Sequence, residues 1–445
     1  MDILRLLPDA TVIQDPDALE AYRRDESHVV GCAPLAVVKP RGPAALGALV
    51  RLAKGEGLTL VPRGAGTGKA GGCTPTPGAI VVDLSELPGE IRLSQADLAL
   101  RAPASAWLRD VKATALEAGL FYAPDPNSWD LCSFGGSLAT NAGGMSACKY
   151  GMTRHWVLSV DALMEDGEIH RFGIDTVKNN SGPNLPQLLV GSEGIFGMIT
   201  AATVKLIPRP QDHLTLLLPV KDWHELLDLP TTLTSAGFLP NAFEFWDPSV
   251  LEDLRRHGPE AARRMPGEAL ALLEFDDPNC LEEAFLDRLL EVLGPVATEI
   301  QTASDTRQRE ALWAVRRTTS SHLKERFPKK VSEDVVVPRS QVRAFFAATE
   351  ALRLPMVTYG HLGDGNLHVN LLAAGETAPE ELEAQLTSLF RTCLDLGGGL
   401  SGEHGIGLAK RDAFLAMSDP YLIQSLRGIK AALDPSGVFN RGKVI

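Results

Sequence analysis

Residues 62–72 read PRGAGTGKAGG, with glycines at Gly64, Gly66, Gly68, Gly71 and Gly72. Glycine permits close backbone approach, so successive N–H groups in such a run can converge on an anion, a pyrophosphate above all. Upstream, LAVVKP (35–40) has a strand pattern, and PAALGALVRLAKGEG (43–57) is a helix that starts on Pro43 and ends at Gly57. LTLVPRG (58–64) is the next strand, so the loop closes a β-α-β unit. Two familiar phosphate motifs do not apply. Gly66 to Gly71 has GxGxxG spacing, but Pro75 and Pro77 stand where a Rossmann helix would begin. Lys69 is followed by Ala70 rather than Ser or Thr, and the glycine spacing is one short of a Walker loop. The loop is then either an anion cradle in another fold or a plain glycine turn.

A short amphipathic helix is expected over 16–24, ahead of this unit. Beyond the loop come strands AIVVDLS (79–85) and LALRAP (98–103), then a helix over 105–119 that ends on glycine. Residues 121–151 are long, low in charge and full of Gly, Ser, Thr and Asn. Such a stretch suits a backbone-rich lining against a large planar ligand, since loops this long inside a domain are usually functional. WVLSVDALMEDGEIHRF (156–172) is a hairpin around Glu165-Asp166-Gly167, and 188–210 combines a glycine turn with a long strand. Pro208, Pro210 and the polar Gln211-Asp212-His213 mark the best domain boundary. From Leu214 strands and acidic amphipathic helices alternate, which predicts an α+β cap domain with ferredoxin-like halves. Within it, REALWAVRRTTSSHLKER (309–326) is a helix whose cations are expected to be mostly solvated. The segments 410–419 and 420–434 are helical.

Near the end of the cap, YGHLGDGNLHVN (359–370) places His361 and His368 on either side of a Gly-Asp-Gly-Asn corner, a hairpin pattern. SGEHGIG (401–407) follows with Glu403 and His404. Three imidazoles and a carboxylate among glycines suggest a metal site with a spare base. The competing reading is two unrelated histidines and a solvated Glu.

The chain has 445 residues and a formal charge of −13, which favours two or three domains and argues against nucleic acid or an anionic membrane as main partner. The six cysteines contain no CxxC pair, so neither a thiolate cluster nor a disulfide framework is signalled. The opening MDILRLLPDA lacks a basic region followed by an apolar run, and no segment approaches a membrane span. A cytoplasmic location is the expectation, peripheral to a membrane at most through a partner.

Taken together, these motifs resemble the flavin-linked D-2-hydroxyacid dehydrogenases, a branch of the vanillyl-alcohol-oxidase superfamily. The resemblance spans nearly the whole chain. PRGAGTG looks like the family's pyrophosphate loop and GGSLATNAGG with KYG like its flavin-lining segment. GSEGIFGMIT looks like the strand and turn over the adenine side, and GHLGDGNLH and SGEHGIG like the signatures of the C-terminal domain. The implied fold is α+β: a two-part FAD-binding domain of the PCMH type plus a ferredoxin-like cap that takes the substrate. The implied bounds are 1–210 for the FAD domain, 211–398 for the cap, and 399–445 for a helical segment returning to the FAD domain. The resemblance implies FAD contacts at Pro62, Arg63, Gly64, Ala65, Gly66, Thr67, Gly68, Pro124, Asp125, Gly136, Ser137, Thr140, Asn141, Gly144, Glu193, Ile199 and Asn440. Some members attach FAD through a histidine in the first loop; Thr67 stands there, so non-covalent FAD is expected.

The resemblance also implies a divalent metal, zinc or manganese, on His361, His368 and Glu403, with His404 taking the substrate hydroxyl proton. Arg316, in the W-x-x-R pattern that starts at Trp313, and Ser320 are implied to hold the substrate carboxylate. The implied reaction is oxidation of a small D-2-hydroxyacid to the 2-oxoacid, with hydride passing to flavin N5. In 2-hydroxyglutarate-type relatives a lysine grips the distal carboxylate where this chain has Ser332, with Lys329 and Lys330 displaced. D-lactate or glycolate is therefore expected, with D-2-hydroxyglutarate as the alternative. Electrons would leave to a separate quinone, cytochrome, electron-transfer flavoprotein or iron–sulfur subunit, and a homodimer is compatible with the sequence. A metal-dependent hydrolase and a non-catalytic flavin-binding subunit are the readings from other classes.

Overall fold

The computed structural model describes residues 7, 9–258, 260–303, 305–372 and 379–445. Most of the opening stretch, read above as lacking a leader pattern, therefore lies outside the described residues. The chain divides into two compact units, one of residues 1–144, 151–209 and 403–445, the other of 145–150 and 210–402.

The first unit carries two sheets. Strands β1 (Ala10–Ile13), β2 (Ala36–Pro40), β3 (Thr59–Arg63) and β4 (Ala79–Asp83) form one, in the order β1-β2-β4-β3. β2, β4 and β3 are parallel, in register at Val37↔Val81 and Val61↔Val81, and β1 adds an antiparallel edge. The crossover from β2 to β3 is the helix Pro43–Glu56, which buries Leu46, Leu49, Val50 and Ala53 on one stripe. Burying each such leucine contributes about 1.5–3 kcal/mol. Pro43 starts this helix, and Gly57 ends it at φ +64°, where its N–H returns to the Ala53 carbonyl. The helix expected over 16–24 is shorter, Pro16–Glu20.

The second sheet contains β5 (Arg92–Ser94), β6 (Ala99–Pro103), β8 (Val157–Leu163), β9 (Ile169–Gly173) and β10 (Met198–Lys205); β7 (Leu120–Phe121) pairs separately with β11 (Ile207–Pro208). Its order is β5-β6-β10-β8-β9, antiparallel throughout. Leu46, Leu49, Val82, Leu163, Met198 and Phe439 share one core, so both sheets and the C-terminal tail bury apolar surface together. The tail is fixed by backbone bonds: Leu60 N donates to the Val438 carbonyl at 2.8 Å and Asn440 N to the Leu60 carbonyl at 2.9 Å.

The second unit is built on one seven-stranded antiparallel sheet. Its strands are β12 (Leu214–Val220), β13 (Ala242–Trp246), β14 (Ala269–Phe275), β15 (Gln301–Ala303), β16 (Val331–Val336), β17 (Met356–His361) and β18 (Asn366–Leu371). The order is β15-β12-β14-β13-β17-β18-β16. Read by connection, β12-helix-β13, β14-helix-β15 is a ferredoxin-like 4-1-3-2 half, and β16-helix-β17-β18 repeats its first three strands. The halves join edge to edge where β13 pairs β17, with Glu244 opposite His361. The cations of the helix Thr306–Arg326 are not all solvated. Arg309 and Trp313 bond the buried Glu274, and Arg316 pairs with the buried Glu244, because each strand carries a carboxylate that needs a donor.

Candidate functional site

The first unit encloses a cavity of about 380 Å³. Its wall is the glycine loop from Pro62 to Gly68, the start of the helix Phe134–Ala139, the turn from Glu193 to Ile199, and the pair Glu403-His404. The loop can lie this close because Gly64 has no side chain: a Cβ there would stand 2.2 Å from the Ser133 hydroxyl. Ser133 is itself engaged, accepting the Gly136 N–H at 3.1 Å as the cap of the short helix. The Gly64 backbone thus packs directly on the Ser133 side chain that caps the helix.

Of the residues expected at FAD, Pro62, Arg63, Gly64, Ala65, Gly66, Thr67, Gly68, Gly136, Ser137, Thr140, Glu193 and Ile199 line this cavity. Pro124, Asp125, Asn141, Gly144 and Asn440 are not on its wall. The Pro124 carbonyl is bound by Lys112 at 2.8 Å, and Gly144 packs against Asp125, whose carbonyl oxygen would lie 2.3 Å from an added Cβ. Asn141 accepts the Arg154 N–H, which spends its side chain on the fold. Asn440 acts from behind, donating to the carbonyls of Gly72 at 3.0 Å and Glu193 at 2.6 Å.

Charge at the wall is mixed. Glu193 is buried and its Oε1 accepts the N–H groups of Ile406 and Gly407 at 2.7 and 3.1 Å. Burial raises its carboxyl above the usual range, against the lowering by those two bonds and by Lys443. Burial likewise brings the Lys443 ammonium down to about 8, while its Nζ donates to the Gly72 carbonyl at 2.7 Å. Among the described residues, Glu193 Oε2 and Asp25 Oδ2 are buried acceptors on this wall with no partner. A glycine cradle with orphaned acceptors fits a ligand that brings both phosphate oxygens and donor groups.

The second unit holds the histidine pair. β17 and β18 are the two arms of the expected hairpin, and His361 and His368 bring their Nε2 atoms to 3.3 Å. Two nitrogen ligands at about 2.0–2.1 Å from a tetrahedral cation would be separated by about 3.3 Å, so the pair fits two metal ligands. Glu244 approaches His361 Nδ1 at 2.5 Å and also binds Arg316 Nε. Burial opposes the ionisation of Glu244, but Arg316 and then His361 hold its carboxyl below the usual range. Arg316 is buried, its guanidinium 5.0 Å from the centre of the Tyr359 ring; Ser320, one helical turn on, is exposed. The ends of this unit bear on the motif too. The Ser401 hydroxyl and the Gly402 N–H both bond Asp334, which is the register partner of His368. Glu403 is the next residue and begins the return to the first unit.

Lys330 alters one expectation. Its ammonium contacts the Ser332 hydroxyl and lies 2.5 Å from Asn370 Oδ1. A cation displaced by two residues in sequence therefore reaches the Ser332 side chain. Glu244 was missed altogether. Its signal is a lone carboxylate inside AFEFW, where period-two alternation gives no solvent face because all five residues are buried.

Family comparison agrees with this geometry. FAD linked oxidases, C-terminal domain, match residues 209–444, and a FAD binding domain matches residues 34–173. The chain belongs to the FAD-linked oxidases. This FAD-linked oxidase is 32% identical to a D-2-hydroxyglutarate dehydrogenase from Xanthomonas citri pv. viticola over 100% of its own length and 96% of the relative's. It is 32% identical to a D-lactate dehydrogenase from Archaeoglobus fulgidus, covering 96% of each. Identity is 30% to the glycolate oxidase subunit GlcD of Bacillus subtilis, over 95% of this chain and 91% of that one. The fold is that of p-cresol methylhydroxylase, with a TM-score of 0.77, 14% identity, and 99% and 95% of the two chains covered. The FAD-linked oxidase is thus a FAD-dependent oxidoreductase with a PCMH-type FAD-binding domain and an α+β cap. The hydrolase reading is excluded. Among the described residues, no helix is long and apolar enough to cross a membrane.

Proposed function

We propose that this FAD-linked oxidase oxidises D-2-hydroxyacids to 2-oxoacids, with His404 as the base. The observation that carries this is the position of His404 on the wall of the cavity formed by the glycine loop. There an imidazole can take the substrate hydroxyl proton close to the bound ring system. When bound, FAD supplies the two-electron acceptor for the hydrogen leaving C2. Thr67 in the loop offers no nucleophile of the histidine kind, so FAD is held non-covalently and acid precipitation should release it into solution.

In the same reading His361, His368 and Glu403 hold a divalent cation, zinc or manganese. A cation there supplies Lewis acidity toward the hydroxyl. Arg316 and Ser320 are assigned to the substrate carboxylate, with Arg316 kept in place through its Nε by Glu244. Electrons pass on to a separate acceptor.

The substrate side chain is the open choice between two readings. Serine at position 332 favours a short monocarboxylate such as D-lactate or glycolate. The Lys330 ammonium at Ser332 and Asn370 favours a second carboxylate instead, as in D-2-hydroxyglutarate. Anaerobic mixing of the FAD-loaded protein with a panel of D-2-hydroxyacids, watching flavin bleaching, decides between them. Failure of every D-2-hydroxyacid to bleach the flavin would overturn the proposal and favour a non-catalytic flavin subunit.

A further inference from the structure

His361 reaches its position at the seam of the two ferredoxin-like halves, and its register partner across that seam is Glu244. Residues directly opposite in an antiparallel pair project on the same face with Cβ atoms about 4.5–5.5 Å apart. That spacing lets a glutamate lie flat against an imidazole. Here Oε1 is 2.5 Å from His361 Nδ1, and neither side chain is exposed beyond 6%.

An ionised carboxylate can only accept a hydrogen bond, so Nδ1 must carry the proton in this contact. In the neutral ring the lone pair is then left on Nε2, the atom that faces His368 Nε2 at 3.3 Å. The other oxygen of Glu244 is taken by Arg316 Nε. Arg316 is in turn stacked against Tyr359, whose ring lies 5.2 Å from that of His368. Trp246, two residues along the strand from Glu244, donates to Thr319 at 2.7 Å and fixes the helix that carries Arg316. Each atom of the Glu244 carboxylate therefore has an assigned donor, and the His361 ring has one orientation.

We infer that Glu244 is a positioning residue for metal binding: it selects the Nδ1–H tautomer of His361 and aims Nε2 at the cation site. The inference rests on the metal reading proposed above. Glu244 does not touch the cation or substrate in this account. It acts through His361, as outer carboxylates do on histidine ligands. A purely structural ion pair with Arg316 would leave metal affinity alone once the fold is intact.

The test uses the FAD-loaded full chain, stripped of metal by chelation and titrated with Zn²⁺ against a chromophoric chelator. Glu244→Gln keeps the shape of the side chain but offers an amide that no longer dictates the tautomer. Its expected affinity for Zn²⁺ is about 10- to 100-fold weaker than wild type, with flavin content and flavin absorbance unchanged. Should Glu244→Gln fail to fold, Glu244→Gln with Arg316→Met removes the buried charge pair together, and the same weakening is expected. Cobalt substitution gives a second readout, since a loosened ligand alters the visible Co²⁺ bands. If wild type takes up one equivalent of Zn²⁺ and the variants match it within about twofold, the role of Glu244 is overturned while the metal reading stands. If wild type takes up no Zn²⁺ and no Mn²⁺, both fall.

Discussion

Glu193 Oε1 accepts the backbone N–H of Ile406 at 2.7 Å, tying the turn before β10 to the segment that carries His404. Glu193 itself sits at φ +51°, so the turn holds it in a conformation side chains seldom adopt. A buried carboxylate in that place costs stability when ionised, and its hydrogen bonds hold the loop that carries His404.

The pH dependence of stability follows from that burial. The Glu193 carboxyl is raised above its ordinary value of 4.5, so the folded chain binds this proton more tightly than the unfolded chain. Its contribution is complete below the unfolded value and is lost as pH rises through the folded value. Glu193→Gln keeps an oxygen for Ile406 and Gly407 and has no proton to lose. Urea unfolding across that range should show the variant gaining on wild type as pH rises. A constant difference would contradict the assignment.

Room at the glycine loop is the second test. Gly64→Ala puts a methyl group 2.2 Å from the Ser133 hydroxyl, which must then leave its cap on Gly136. Loss of such a cap costs about 1 kcal/mol. FAD retention is expected to fall by about tenfold or more, with one factor of ten worth about 1.4 kcal/mol. Adding Ser133→Ala restores the space, so the double variant should bind FAD better than the sum of the two single effects predicts. Gel filtration followed by flavin absorbance reads both; simple additivity would contradict direct contact.

Lys330 offers a test of the substrate class. Removing the ammonium in Lys330→Met should raise KM for D-2-hydroxyglutarate by about 10-fold or more, the size of one charge-assisted contact, if a second carboxylate docks there. KM for D-lactate should change less than twofold. Equal effects on both substrates would assign Lys330 to the local fold with Ser332 and Asn370.

Much of this was legible in the sequence, and the reasons differ by element. The helix Pro43–Glu56 announces both its ends with Pro43 and Gly57, and the β17-β18 hairpin announces its corner with Gly363 and Gly365. The glycine loop was legible because only glycine lets Gly64 approach Ser133. Glu244 was not, because its partner His361 lies 117 residues away, and that pairing exists only once two ferredoxin-like halves share a seam. The reach of Lys330 was not legible for a related reason. A residue beside a strand can return its long side chain to the strand, so the ammonium and the backbone position differ. Asn141 and Gly144 belong to a segment that lines the cavity through other residues, and loop side chains divide between cavity and fold in ways that composition does not show.

In the proposed reaction His404 takes the substrate proton at a FAD-loaded site. Its most direct test is stopped-flow bleaching of the flavin by D-lactate and by D-2-hydroxyglutarate under anaerobic conditions, comparing wild type with His404→Ala. The variant is expected to keep an intact flavin spectrum and to bleach about 10²- to 10⁴-fold more slowly, the usual worth of a general base. Bleaching of His404→Ala at the wild-type rate would contradict it.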